Sequence, residues 1–69
     1  GIVTVSLKDI KDQLVDIRII NMNGQEIYSA LNTGQENIVV NLENQPNGNY
    51  LIVLRIDNQI FTRKLIVQN

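Results

Sequence analysis

The side chains that could carry out catalysis are few. The sequence contains no Cys and no His, so neither a thiolate nor an imidazole can serve as nucleophile or general base. Lys64 is the one plausible amine base, and it stands beside Arg63 in a charged, solvated pair. Most of the serine and threonine hydroxyls sit in predicted turns or at outward strand positions, and none has a His to activate it: Thr4, Ser6, Ser29, Thr33 and Thr62. We therefore predict no enzymatic activity and no bound cofactor.

Three carboxylates form the only candidate metal site. Asp9, Asp12 and Asp16 cluster around the first loop, and calcium prefers such oxygen ligands. The spacing lacks both the regular alternation of ligands and the turn glycine of a dedicated calcium loop. A solvated acidic loop is the preferred interpretation, so no metal site is predicted.

Aromatic residues raise the alternative of a carbohydrate-binding surface. The chain has no Trp and only three aromatic residues, namely Tyr28, Tyr50 and Phe61. Tyr50 and Phe61 fall on apolar stripes and are predicted to lie in the core. Only Tyr28 is expected to be exposed, and a single tyrosine makes a weak platform for a sugar ring.

Charge is distributed unevenly along the chain. The net charge is −1, which argues against nucleic acid or a membrane surface as a partner through bulk electrostatics. The segment 49–69 is nevertheless cationic, with Arg55, Arg63 and Lys64 against Asp57. Two interpretations stay open, a basic surface that meets an acidic receptor or anionic lipid head group, and charges that protect an edge strand.

The elements that position these residues are β-strands. Apolar residues alternate with polar ones in six segments, at 2–7, 15–19, 27–31, 38–42, 50–56 and 61–67. This period of two is typical of antiparallel sheets with one buried face. We predict an all-β fold, a small antiparallel β-sandwich of Greek-key or immunoglobulin-like type with six to seven strands.

Turn residues separate the strands. Asn23-Gly24 is a strong hairpin signal because both residues tolerate positive φ. Further turns are predicted at Thr33–Gln35 and at Asn44–Gly48, where Pro46 fits the second position and Gly48 a left-handed conformation. The last hairpin has a tight link at Asp57-Asn58 or at Asn58-Gln59. The remaining segment, 8–13, is predicted to be a loop.

Length and composition indicate one domain, residues 1–69. A hydrophobic content of 43% suits a globular fold rather than disorder. No apolar run reaches the roughly 18 residues that span a bilayer. The first residues also lack the basic and apolar regions of a signal peptide. We expect the domain to have been excised from a larger protein, and if that protein is secreted, its signal peptide lies on preceding residues.

Three segments in order resemble one family. Ile19–Ile27 is similar to its hairpin with Asn, Gly-Gln and an aliphatic residue. Asn41–Ile52 is similar to its Leu, Pro-Asn-Gly and Tyr segment, and Phe61–Val67 to its basic and then aliphatic closing strand. The family is the type A C-terminal sorting domain of the type IX secretion system of Bacteroidetes, and the resemblance covers nearly the whole chain. Family members usually carry a Pro-Asn-Pro element just upstream, so the domain is expected to be truncated at its N-terminal edge.

The resemblance implies a sorting signal that directs cargo, attached upstream, through the outer-membrane translocon. A sortase-like protease often removes such a domain afterwards. The protein would pass through the periplasm and end at the cell surface or outside the cell. The residues implied in recognition are Gly24, Gly48, Tyr50, Arg63, Lys64, Leu65 and Val67.

Structural roles are predicted for most of these residues as well. Gly24 and Gly48 supply turns, and Tyr50, Leu65 and Val67 fill the core. Arg63 and Lys64 are the better candidates for direct contact with the protein that recognises the signal. The alternative function is an accessory β-sandwich of a secreted hydrolase, as a carbohydrate-binding or spacer module. Weak self-association through exposed strand edges is a further alternative.

Overall fold

Six antiparallel strands make up the part of the chain that the computed structural model describes, residues 1–6, 14–32 and 37–68. They are β1 (Ile2–Ser6), β2 (Val15–Asn21), β3 (Glu26–Asn32), β4 (Asn37–Asn41), β5 (Gly48–Ile56) and β6 (Gln59–Val67). The predicted all-β class and the strand number are confirmed. None of the described segments forms a helix with the length and hydropathy that crossing a bilayer requires.

The strands form two sheets. One sheet pairs β1 with β4, and the other has the order β3-β2-β5-β6. All pairs are antiparallel. The chain changes sheet between β1 and β2, between β3 and β4, and between β4 and β5. This order is that of strands B–E and C′–C–F–G in an immunoglobulin-like sandwich, as predicted.

The core lies between the sheets and follows the alternation of the sequence. Ile17 and Ile19 of β2 are completely buried in the middle of the larger sheet. Burial of an aliphatic side chain of this size contributes about 1.5–3 kcal/mol. The buried apolar residues of both sheets form one cluster: Val5, Val15, Ile17, Ile19, Ile38, Val40, Leu42, Tyr50, Ile56 and Val67.

Two aromatic residues differ from expectation. Phe61 was predicted to be in the core, yet 40% of it is exposed. It pairs with Leu54, but β6 lies at the edge of its sheet, so among the six described strands the Phe61 ring has a neighbour on one side only. Tyr28, predicted to be exposed, is half-buried and packs against the core from β3, where it pairs with Ile19.

The turn at Asn23-Gly24 and one of the two loops proposed for the last hairpin are confirmed. The final loop is Asp57-Asn58, because Ile56 pairs with Gln59, and Asp57 takes φ 53°. The hydrogen-bonded turn before β5 lies at Leu42–Gln45, where the Gln45 amide donates to the Leu42 carbonyl over 3.1 Å. Pro46 therefore follows this turn instead of occupying its second position, which corrects the prediction.

Several predictions lie outside the described residues. They are the loop at 8–13, the turn at Thr33–Gln35 and two of the three carboxylates of the acidic loop, Asp9 and Asp12. The third carboxylate, Asp16, lies within β2 and pairs with Arg18.

Candidate functional site

The β2–β3 hairpin turn is built around Asn21. Its side-chain oxygen accepts hydrogen bonds from the backbone amides of Asn23 (3.0 Å) and Gln25 (2.9 Å). Its side-chain amide donates to Oε1 of Gln25 over 2.9 Å. Gly24 donates its amide to the Asn21 carbonyl and has φ +83°, a conformation that costs L-residues about 1–2 kcal/mol. The Asn and Gly-Gln residues of the sequence motif therefore form one turn.

The start of β5 is fixed by Tyr50. Its ring is buried, with 4% exposure, and its hydroxyl donates to the Pro46 carbonyl over 2.6 Å. A tyrosine at the start of strand F that bonds back to the preceding corner is the tyrosine corner of immunoglobulin-like sandwiches. Gly48 lies between Pro46 and Tyr50 and has φ +149°, a backbone conformation that residues with a side chain rarely adopt. The Pro, Gly and Tyr residues of the second motif thus make one structural unit.

The seven residues predicted to take part in recognition differ in how far their side chains are buried. Val67 is buried and Leu65 is half-buried, so both pack in the core at the end of β6. The two glycines and Tyr50 shape turns, as described above. Only Arg63 and Lys64 present exposed charged side chains.

Arg63 and Lys64 lie on opposite faces of the larger sheet, because successive strand residues alternate. Arg63 pairs with Ile52 on the face that carries the core, and its guanidinium donates to the Thr62 carbonyl over 2.9 Å. Lys64 pairs with Leu51 on the outer face and makes no ion pair with any described residue. A partner that contacts both charges must therefore reach around the edge of the sheet.

The outer face of the larger sheet also carries charged side chains on β2 and β3. Arg18 lies 3.1 Å from Asp16 and 3.4 Å from Glu26. The hydrogen bond from Arg18 to Asp16, with the charges of both carboxylates, raises the pKa of Arg18 above its usual value. These acids are engaged with Arg18, whereas Lys64 and Arg55 on the β5–β6 side of this face lack such partners among the described residues.

Sequence reasoning missed the role of one residue, Asn21, and one contact of a residue that it did name, Tyr50. Asn21 was part of a motif, and its position two and four residues before the amides it binds is a signal of a side-chain-stabilised turn. The hydroxyl contact of Tyr50 was missed because it depends on the corner geometry.

Comparison with known proteins identifies the chain. A search of curated proteins found no match. The model of the secretion system C-terminal sorting domain matches residues 1–68, nearly the whole chain. Domains of this family are sorting signals rather than enzymes, and proteins that carry them are secreted to the cell surface or beyond. The chain therefore belongs to the family of C-terminal sorting domains of the type IX secretion system.

Proposed function

We propose that this domain directs an attached upstream cargo from the periplasm through the outer-membrane translocon, and that a sortase-like protease then removes it. The observation that carries the proposal is the family match over residues 1–68, which includes all three motifs. The net cationic charge of the β5–β6 hairpin agrees with it, because an acidic receptor surface would attract such a hairpin.

We propose that the translocon recognises this domain through the side chains of Arg63 and Lys64. Of the seven residues implied in recognition, the other five shape turns or pack in the core, and only Arg63 and Lys64 offer exposed charged side chains to a receptor. Lys64 is the stronger candidate because the Arg63 guanidinium already donates to the Thr62 carbonyl, whereas Lys64 is exposed beside Leu51.

The proteolytic cut is proposed to fall before β1. The Gly1 carbonyl accepts from the Leu42 amide over 2.8 Å, so the pairing of β1 with β4 extends to this residue. A protease needs an extended, accessible segment, and a cut within the strand would break this pairing.

The test is an export assay. Residues 1–69 are fused behind a reporter with a periplasmic signal and a Pro-Asn-Pro segment, and expressed in a Bacteroidetes host that has the secretion system. We expect the reporter at the cell surface, in a form shortened by the domain. A reporter that stays in the periplasm would count against the sorting function, and an unshortened surface reporter against the removal step.

A variant pair assigns the recognition residues. Lys64→Gln is expected to reduce surface reporter at least severalfold. Arg55→Gln removes a cation from the same sheet face at the other end of the hairpin, so it lowers the net charge equally and should reduce export much less. Equal export of the reporter by both variants would contradict recognition through the Lys64 side chain.

A further inference from the structure

Strand β6 forms a long and regular edge of the larger sheet. Its register with β5 is unbroken over nine residue pairs, from Gly48 with Val67 to Ile56 with Gln59. The opposite edge, β3, is interrupted by a bulge where β2 changes register between Ile19 and Ile20. Among the described residues, no strand pairs with the outer side of β6. An edge of this kind is a template for another strand.

The hairpin geometry identifies the backbone groups on this edge. With a two-residue loop, Ile56 and Gln59 form the first hydrogen-bonded pair, and such pairs alternate along the ladder. The amides and carbonyls that point away from β5 therefore belong to Ile60, Thr62, Lys64 and Ile66. The contact of Arg63 with the Thr62 carbonyl agrees with this, because that carbonyl faces no strand of the described ranges and accepts from a side chain instead.

The charges on β6 disfavour a second copy of this chain as the partner strand. Arg63 is the middle residue of β6. A twofold antiparallel pair centred on the strand places Arg63 opposite Arg63, and a shift of the centre by one residue towards the C-terminus places Lys64 opposite Lys64. A shift the other way places Thr62 opposite Thr62, but β6 contains no acidic residue, so no register within the strand sets a carboxylate opposite either cation. Like charges directly opposite each other destabilise a strand pair.

The flanks of the same strand are apolar. Ile60 and Ile66 on the outer face are more than 60% exposed, and Phe61 on the inner face is 40% exposed. A strand that matches β6 would therefore place acidic residues opposite the central cations and apolar residues on either side of them. Opposite charges and apolar pairs across strands both contribute to pairing.

We propose that β6 is completed by a strand from a partner protein with acidic residues at its centre and apolar residues on both flanks. This inference rests on the proposed sorting function, for which it names the mode of recognition. Main-chain hydrogen bonds would supply affinity, and Arg63 and Lys64 would select the strand by charge.

A peptide experiment tests the proposal on the intact 69-residue chain. The probe is a nine-residue peptide of alternating Val and Thr with two central Glu residues, and the control peptide has two central Lys residues. We expect the acidic peptide to bind about tenfold more tightly and to slow amide exchange at Ile60, Thr62, Lys64 and Ile66. Equal affinity for the two peptides, or no protection at millimolar acidic peptide, would overturn the proposal. So would protection of these amides that rises with protein concentration alone, which indicates pairing between copies.

Variants of β6 test whether the peptide binds to the outer edge of this strand and not elsewhere on the molecule. Thr62→Pro removes an edge amide without removing a ladder bond to β5, and Thr62→Ala keeps that amide. Only Thr62→Pro should lose peptide binding. The double variant Arg63→Glu with Lys64→Glu covers the case in which the proline variant unfolds, because it should bind the Lys peptide preferentially. An unchanged preference would contradict the proposal.

Export of the same variants distinguishes the two levels of inference. If the Thr62→Pro fusion is folded and exported as well as the Thr62→Ala fusion, strand pairing at β6 is wrong as the sorting mechanism while the sorting function stands. If the unaltered fusion is not exported, the proposed function itself fails.

Discussion

The corner before β5 and the middle of β6 lie close together, yet their motif residues have different roles. Tyr50 is buried and bonded to the Pro46 carbonyl. Leu65, its partner across the ladder, is half-buried, and the next residue back along β6, Lys64, is exposed. A motif residue can thus be typical of the family because it builds the fold or because it is accessible to a partner. Burial distinguishes the two cases here.

The largest effect should come from removing the corner. Tyr50→Ala deletes a buried ring and should lower the free energy of unfolding by about 3–5 kcal/mol. Tyr50→Phe keeps the ring but leaves the Pro46 carbonyl without the hydroxyl, and should cost about 1 kcal/mol. Urea unfolding followed by circular dichroism measures both. Phe61→Ala is the matched control and should cost clearly less than Tyr50→Ala, because Phe61 is 40% exposed. Equal losses at positions 50 and 61 would contradict the contrast between the two regions.

Local patterns predicted the strands because strand alternation and turn chemistry are properties of neighbouring residues. The period of two placed Ile17, Ile19 and Val67 in the core, where the structure has them. The same pattern placed Phe61 there incorrectly. Alternation assigns a residue to a face of a sheet, but it does not distinguish a central strand from an edge strand, which depends on the order of the strands in space.

The candidate site shows the same limit. Adjacency in sequence predicts that Arg63 and Lys64 act as one charged pair. In a strand, adjacent residues face opposite sides, so the pair is divided between the two faces of the sheet. An edge strand was one of two interpretations of the charges in 49–69, and β6 does lie at an edge of the larger sheet. That β6 is the regular edge depends on which strands pair and on the bulge in β3, which local sequence does not determine. The side-chain bonds of Asn21, by contrast, are local and could have been inferred from the turn.

A second prediction extends the comparison to the β2–β3 turn. Asn21→Ala removes three hydrogen bonds that hold the turn around Gly24, and should lower the free energy of unfolding by about 1–2 kcal/mol. Asn23→Ala alters an exposed side chain in the same turn and should change it by less than about 0.5 kcal/mol. Urea unfolding of both variants provides the measurement. If Asn23→Ala destabilises as much as Asn21→Ala, the turn is held by something other than the Asn21 side chain.

The smallest effect on stability is expected where the largest effect on recognition is proposed. Lys64→Gln should leave the free energy of unfolding within about 0.5 kcal/mol of the unaltered domain, because the side chain is exposed and makes no ion pair with a described residue. Val67→Ala, at a buried position of the same strand, should lower it by about 2 kcal/mol. Urea unfolding and the export assay applied to both variants separate the roles. Loss of export in Val67→Ala should disappear when a stabilising change elsewhere restores the fold, whereas loss of export in Lys64→Gln should persist in the same background. Rescue of Lys64→Gln by added stability would mean that the middle of β6, like the corner before β5, acts through the fold alone.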